Sequence, residues 1–134
     1  MSILTEISLG EFFDKLTILR IKAERVSDDA KLRNITRELQ KLEAAWAGLD
    51  RNRETIETEL KELTIVNGLL WEIEDKIRGK EAKQEFDREF IELARSVYLN
   101  NDKRARIKNS INRKLGSGLT EEKSYTGYTD ERDS

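Results

Sequence analysis

The chain contains no proline, so nothing in its 134 residues obliges an α-helix to stop. Its apolar residues recur at alternating steps of three and four, which is the spacing of one face of a helix. Charged residues make up 39% of the sequence and hydrophobic residues 37%, so the apolar faces are narrow. These features predict an all-α antiparallel bundle of four to five helices with coiled-coil-like seams over residues 1–116, and a flexible tail at 117–134.

Local capping signals mark the first helix. Ser8 and Glu11 have the spacing of a capping box, in which the Ser8 side chain accepts from the Glu11 amide. The seam that follows is Phe12, Leu16, Leu19, Ala23 and Val26. Residues 27–29, Ser-Asp-Asp, interrupt this spacing and supply capping side chains, so we expect a turn there.

The middle of the chain leaves two alternatives open. The seam through Trp46 continues in the same register past Gly48 and through Asn67. One alternative is therefore a single helix of about 50 residues, roughly 75 Å long. The other, which we favour, is a hairpin that reverses between Gly48 and Asn52, because glycine suits a helix end and Asp50 or Asn52 can cap a new start. Asn67 within the seam is expected to set register.

Three further signals divide the C-terminal half. Gly79 is expected to end the helix that contains Asn67, and residues 100–102, Asn-Asn-Asp, to break the chain before a last helix. Gly116 then closes that last helix.

The composition excludes several kinds of chemistry. With no histidine and no cysteine, the chain lacks an imidazole base, a thiolate nucleophile and the usual zinc ligands. We therefore expect no catalytic residue, no cofactor and no metal. A net charge of −2 argues against nucleic acid as a partner. The sequence has no apolar run of the roughly 20 residues that a transmembrane helix needs, and we expect a cytoplasmic protein. The narrow seams predict a homodimer.

Acidic residues concentrate between positions 54 and 75. The Glu59/Glu62 and Glu72/Asp75 pairs resemble the carboxylate pairs with which all-α nucleotide pyrophosphohydrolases hold Mg²⁺. On one continuous helix, however, a ten-residue offset separates such pairs by about 15 Å. That spacing predicts a solvated acidic face rather than a metal site.

Trp71, Asp75 and Arg78 recur at helical spacing and form the first candidate site for a ligand or partner. A large ring beside an apolar seam is typical of core or dimer contacts, so that interpretation of Trp71 stands beside the functional one.

The second candidate site is a basic ridge, which we define as Arg104, Lys108 and Asn112 at four-residue steps. Such a ridge suits a phosphate-bearing small molecule, anionic lipid or an acidic partner. Alternatively, it docks on the acidic helix of the same chain or of a second copy. Arg95 and Tyr98, three residues apart, are expected either to form a small polar pocket near the ridge or to be a surface arginine beside a seam tyrosine.

Three stretches of the sequence are distinctive motifs: 6–19, 70–78, and 90–98 followed by Asn101 and Asp102. A fourth, 121–125, lies at the start of the tail. They resemble an uncharacterised bacterial family of small all-helical proteins, a domain of unknown function found near or fused to glycosyltransferases of surface-polysaccharide synthesis. The resemblance implies that setting, with a glycosyltransferase as a protein partner, but assigns no residue a role.

These features predict a non-enzymatic helical interaction or accessory module, and the resemblance implies a link to bacterial surface-polysaccharide (lipopolysaccharide) synthesis. The alternative is a helical enzyme or sensor that binds a phosphorylated or nucleotide-sugar ligand through Arg95, Arg104 and Lys108.

Overall fold

The computed structural model describes residues 1–49, 53–118 and 127, and within them every regular element is helical. The elements are α1 (Leu9–Arg25), α2 (Asp29–Ala47), α3 (Glu57–Ala82) and α4 (Arg88–Leu115), with a short 3₁₀-helix, Arg53–Ile56, leading into α3. The prediction of an all-α bundle is confirmed, with four α-helices in the described part of the chain.

Side-chain caps start three of the four α-helices in the described residues. Ser8, Asp28 and Asp87 each accept a hydrogen bond, 2.8 to 3.0 Å long, from the backbone amide three residues later. Gly116 ends α4 in the left-handed conformation, with φ of 66°, which glycine adopts without steric cost. The predicted start at Ser8, the turn at 27–29 and the stop at Gly116 are therefore confirmed.

The prediction that Gly79 ends the third helix is wrong. α3 continues to Ala82, and the chain turns where Gln84 takes a φ of 57°. A glycine inside a helix costs only about 1 kcal/mol relative to alanine, which the packing of a long helix readily exceeds.

The predicted break at residues 100–102 is also wrong, since α4 is continuous from Arg88 to Leu115. The polar side chains in this stretch form bonds within the helix instead of capping a new one. The Asn100 amide donates to the Ser96 carbonyl at 2.8 Å, and the Asn101 side chain accepts from Arg104 at 3.4 Å. Because this break does not occur, the described residues form four α-helices rather than five.

α1 is the central helix and packs against each of the other three. Its contacts with α2 pair Phe13 with Trp46 and Arg20 with Glu43, so residue numbers fall along α2 as they rise along α1. The two helices are therefore antiparallel.

α3 runs in the opposite direction to α2. It approaches α1 with Asn67 beside Asp14 and Glu72 beside Arg25, which makes α1 and α3 parallel. The chain thus reverses between α2 and α3, as the hairpin alternative requires, and the single long helix is excluded. The caps expected at Asp50 and Asn52 lie outside the described residues, as does the predicted tail at 119–126 and 128–134.

One hydrophobic core lies beside the N-terminal half of α1 and joins the helices. Phe13, Leu16, Ile56, Leu63 and Ile111 are fully buried there. The rings of Phe13 and Trp46 meet edge to face with centroids 4.8 Å apart, a favoured arrangement for aromatic pairs.

Beyond the end of α1, α3 and α4 continue as a two-helix hairpin, which we call the distal arm and define as residues 73–98. The structure describes all of these residues and buries none of them. Among the described elements, α3 and α4 alone form this hairpin, and its apolar side is only partly covered.

Candidate functional site

A buried carboxylate lies at the centre of the bundle. Asp14 of α1 is 0% exposed, and its side chain forms a two-point ion pair with Arg104 of α4, in which Nε donates to Oδ1 at 2.8 Å and Nη2 donates to Oδ2. The amide of Asn67 on α3 donates to the same Oδ1 at 2.9 Å. Because a buried charge is tolerated only when it is paired and hydrogen-bonded, these contacts hold α1, α3 and α4 in one register.

Asn67 carries this network one step further. Its Nδ2 also donates to the hydroxyl of Thr17 at 2.9 Å, and that hydroxyl donates to the Asp14 carbonyl at 2.8 Å. Asn67 is 6% exposed, so its hydrogen bonds are protected from water. These contacts agree with the expectation that Asn67 sets register.

The basic ridge faces α1 of the same chain. Lys108 donates from Nζ to Oε2 of Glu11 at 2.6 Å, and Asn112 accepts at Oδ1 from the Gly10 amide at 2.7 Å. Together with the Arg104 pair, these contacts place all three ridge residues against acidic or backbone groups of α1. The basic ridge therefore docks within its own chain, as one of the alternatives expected. It docks mainly on α1, however, and not on the acidic helix α3.

Close packing of α1 on α4 depends on Gly10. A Cβ at this position would lie 2.9 Å from the Lys108 carbonyl carbon and nearer still to its oxygen. No side chain fits that gap without displacing backbone.

The acidic helix α3 forms an ion pair with a basic residue of α4. Lys114 forms an ion pair with Glu59, whose side chain is 8% exposed and also accepts from Ser110 at 3.3 Å. Burial raises the pKa of Glu59, but the hydrogen bond and charge of Lys114 outweigh burial, so the net pKa lies below its ordinary value of 4.5. Oε2 of Glu59 has no hydrogen-bond partner among the described residues.

Trp71, Asp75 and Arg78 meet Arg104 in a surface groove of about 370 Å³ where the distal arm leaves the core, which we call the Trp71 groove. Trp71 is half-buried and stands outside the core cluster. The remaining lining residues come from α1 and α3 and are Ile18, Asn67, Leu70 and Glu74. Half of the eight candidate residues are thus brought to one place.

Arg95 and Tyr98 lie elsewhere, on the α4 side of the distal arm. They hydrogen-bond to each other, and this bond, with the nearby charge of Glu92, raises the pKa of Arg95. Tyr98 is 45% exposed, and neither residue lines the Trp71 groove. Lys108 lies ten residues farther along α4 than Tyr98, about 15 Å at 1.5 Å per residue, and its side chain bonds to Glu11 of α1.

The acidic segment lies along one helix, because α3 continues unbroken through Gly68. The Glu59/Glu62 and Glu72/Asp75 pairs therefore follow one another along the helix axis. Among the described residues, no three acidic side chains are grouped as a metal site requires. No helix in the described ranges has the length and apolarity to cross a bilayer.

Asp14 is not among the predicted site residues, although the spacing of residues in the sequence indicates that it is buried. Gly10, Asp14, Thr17 and Ile21 recur at steps of four, three and four, and all four are buried. This stripe runs beside the Phe12 seam, so α1 buries an unusually wide face. A polar residue inside such a stripe indicates a buried network.

The search of curated proteins found no match, and neither did the search of solved structures. A family model matches residues 3–131, nearly the whole chain. The protein therefore belongs to the Family of unknown function (DUF6165).

Proposed function

We propose that this protein is a non-enzymatic interaction module that associates with a second copy of itself through the distal arm. In the setting implied by the sequence resemblance, it serves surface-polysaccharide synthesis in the bacterial cytoplasm as an accessory to a glycosyltransferase.

The incomplete burial of the distal arm carries this proposal. Its inward apolar residues, Ile73, Ile77 and Phe90, are only half-buried, whereas Phe13 and Leu16 in the core are 0% exposed. A helical hairpin with a seam this open gains stability when another apolar surface covers it.

Exposed side chains on α4 extend the apolar surface of the arm. Ile91 is 51% exposed and Tyr98 is 45% exposed. They lie seven residues apart and therefore share one face of the helix, with Arg95 between them. Aromatic residues and arginine are enriched at the centres of protein interfaces, so this face has the composition of a contact surface.

A second copy of the chain is the occupant that the charges favour. The distal arm carries nearly equal numbers of acidic and basic residues, interspersed along both helices. Two such arms packed side by side bring unlike charges together, and neither arm repels the other through a large net charge. A dimer with closed twofold symmetry is also the commonest form of self-association.

The basic ridge supports an interaction module over the alternative of a phosphate-binding enzyme or sensor. Arg104 and Lys108 already form ion pairs with Asp14 and Glu11. A phosphate that bound through the ridge would compete with those carboxylates, one of which is buried.

Light scattering coupled to size exclusion tests the self-association. We expect the wild-type chain to elute as a dimer and Ile91→Asp as a monomer, because the introduced carboxylate faces its counterpart or an apolar surface. Leu49→Asp is the matched control, since Leu49 is 47% exposed and lies outside the arm. A monomeric wild-type chain, or a dimer that Ile91→Asp leaves intact, contradicts the proposal.

The accessory role is tested separately in cells. In a strain that lacks this protein, we expect surface polysaccharide to be restored by the wild-type gene and by Leu49→Asp, and poorly by Ile91→Asp. Normal polysaccharide in the deleted strain would exclude the role and leave the self-association result unaffected.

A further inference from the structure

The Trp71 groove combines an aromatic ring with polar side chains of both signs. Glu74 and Asp75 supply carboxylate oxygens, and Arg78, which lies 3.8 Å from Glu74, supplies a guanidinium group. The guanidinium group of Arg104 also lines the groove but is paired with Asp14. The groove volume of about 370 Å³ falls within the roughly 300–1,000 Å³ of small-molecule sites.

The network around Asp14 makes one side of the groove rigid. Arg104 is held at two points by the buried carboxylate, and Asn67, which also lines the groove, is anchored to Asp14 and Thr17. A groove wall whose side chains are fixed before a ligand arrives loses little conformational entropy on binding.

The groove carries no net charge from its own lining. Two carboxylates balance two guanidinium groups in the lining, and Asp14, which lies behind the groove, adds a further negative charge next to Arg104. Anionic ligands such as phosphates gain little here, and a quaternary ammonium ion that Trp71 and the acids would attract is opposed by Arg78.

A ligand suited to this groove is neutral, has an apolar face, and bears groups that both donate and accept hydrogen bonds. A pyranose ring has this chemistry. Its positively polarised C–H groups stack on the negative face of an indole, and its hydroxyls donate to carboxylates while accepting from guanidinium groups.

We propose that the Trp71 groove is a saccharide-binding site, in which Trp71 stacks on a sugar ring, Asp75 and Glu74 accept from its hydroxyls, and Arg78 donates to them. This proposal does not depend on self-association of the distal arm, because the groove lies at the base of the arm within one chain.

Fluorine NMR of the full chain labelled with fluorotryptophan tests the site directly. The two tryptophans give two signals, and a Trp46→Phe variant assigns them. Trp46, 5% exposed in the core, serves as an internal reference. The probes are methyl glucoside, methyl galactoside and N-acetylglucosamine, with AMP and choline as charged comparators.

We expect at least one sugar to shift the Trp71 signal saturably at millimolar concentrations while the Trp46 signal stays in place. Asp75→Asn should weaken that binding about tenfold, the effect of losing one charge-assisted hydrogen bond. Glu81→Gln, an exposed carboxylate on α3 outside the groove, should bind as the wild type does. Ile91→Asp should also retain binding, which separates this proposal from self-association.

Three outcomes would overturn the assignment. One is that none of the sugars shifts the Trp71 signal. Another is that Asp75→Asn binds as tightly as Glu81→Gln does. The third is a response confined to AMP or choline, which would assign the groove to an anion or an ammonium ion.

Discussion

Asp14 and Arg104 are separated by 90 positions in the sequence and form a two-point ion pair between the first and last helices. The Asp14 side chain is 1% exposed and that of Arg104 is 28% exposed, so the pair is buried on the aspartate side and reaches solvent on the arginine side. This asymmetry allows Arg104 to compensate a core charge and to line the Trp71 groove at the same time.

Removal of the arginine should destabilise the fold strongly. Arg104→Met leaves a buried carboxylate with Asn67 and, at 3.9 Å, Lys108 as its remaining partners. We expect a loss of about 3 kcal/mol in the free energy of unfolding, the lower end of the range for broken buried pairs. Urea denaturation measures the loss.

The control for that variant is Arg88→Met, which breaks only an exposed pair with Glu92 and should cost less than about 1 kcal/mol. The double variant Asp14→Leu plus Arg104→Met should regain much of the lost stability, since it removes both charges. Equal stability of Arg104→Met and Arg88→Met would refute the structural role of the pair.

Two glycine substitutions should have opposite effects. Gly10→Ala places a Cβ against the Lys108 backbone and forces α1 and α4 apart, with an expected loss of about 1–3 kcal/mol in unfolding free energy. Gly68→Ala meets nothing within 4 Å in the middle of α3 and should gain about 0.5–1 kcal/mol from helix propensity. Thermal denaturation of both variants distinguishes them, and a stabilising Gly10→Ala would show that the helices do not approach as closely as described.

Glu59 should make stability depend on pH in the acid range. Its pKa in the folded state lies below the ordinary value of 4.5, so its contribution is complete above that value and disappears as the pH falls through the folded-state pKa. Glu59→Gln should therefore be less stable than the wild type at neutral pH, and the difference should shrink as the pH falls below 4.5. Urea denaturation across this range measures the difference, and a gap that widened toward acid would contradict the assignment.

Lys80 should govern the turn at the tip of the distal arm. Its Nζ lies within 3.3 Å of Glu85, 2.8 Å of Asp87 and 3.2 Å of Glu89. The hydrogen bond from Lys80 is the main cause of the lowered pKa of Asp87. In Lys80→Gln we expect that pKa to rise toward its ordinary value of 3.8, as an NMR titration would show.

The same variant should speed amide hydrogen exchange in the arm, because three carboxylates then repel one another. Added salt should reduce the effect. Lys83→Gln, at an exposed position in the same turn, is the control. Unchanged exchange in Lys80→Gln would show that the cluster does not hold the hairpin closed.

Helix ends were predictable where a single residue decides them. Ser8 and Gly116 act through bonds to backbone a few residues away, and both predictions hold. The break expected at residues 100–102 failed because asparagine serves equally as a cap and as a partner within a helix, and only the packing of α4 along its full length selects between them.

The candidate site was predictable where the local helical spacing decides which residues lie together. Trp71, Asp75 and Arg78 share one helix face, so periodicity alone groups them. The arrival of Arg104 at that face depends on its pairing with Asp14, a contact between distant parts of the chain. No local pattern around Arg104 distinguishes this pairing from exposure to solvent.

The position of Asp14 in the first helix also orders events during synthesis. Its partners Asn67 and Arg104 follow it by 53 and 90 residues, so a chain emerging from the ribosome exposes α1 and α2 well before either partner is available. Burying the lone carboxylate at that stage costs several kcal/mol. Because the Asp14 side chain faces α3 and α4, we expect α1 and α2 to pack together early, and this face of α1 to stay in water until α4 has been translated.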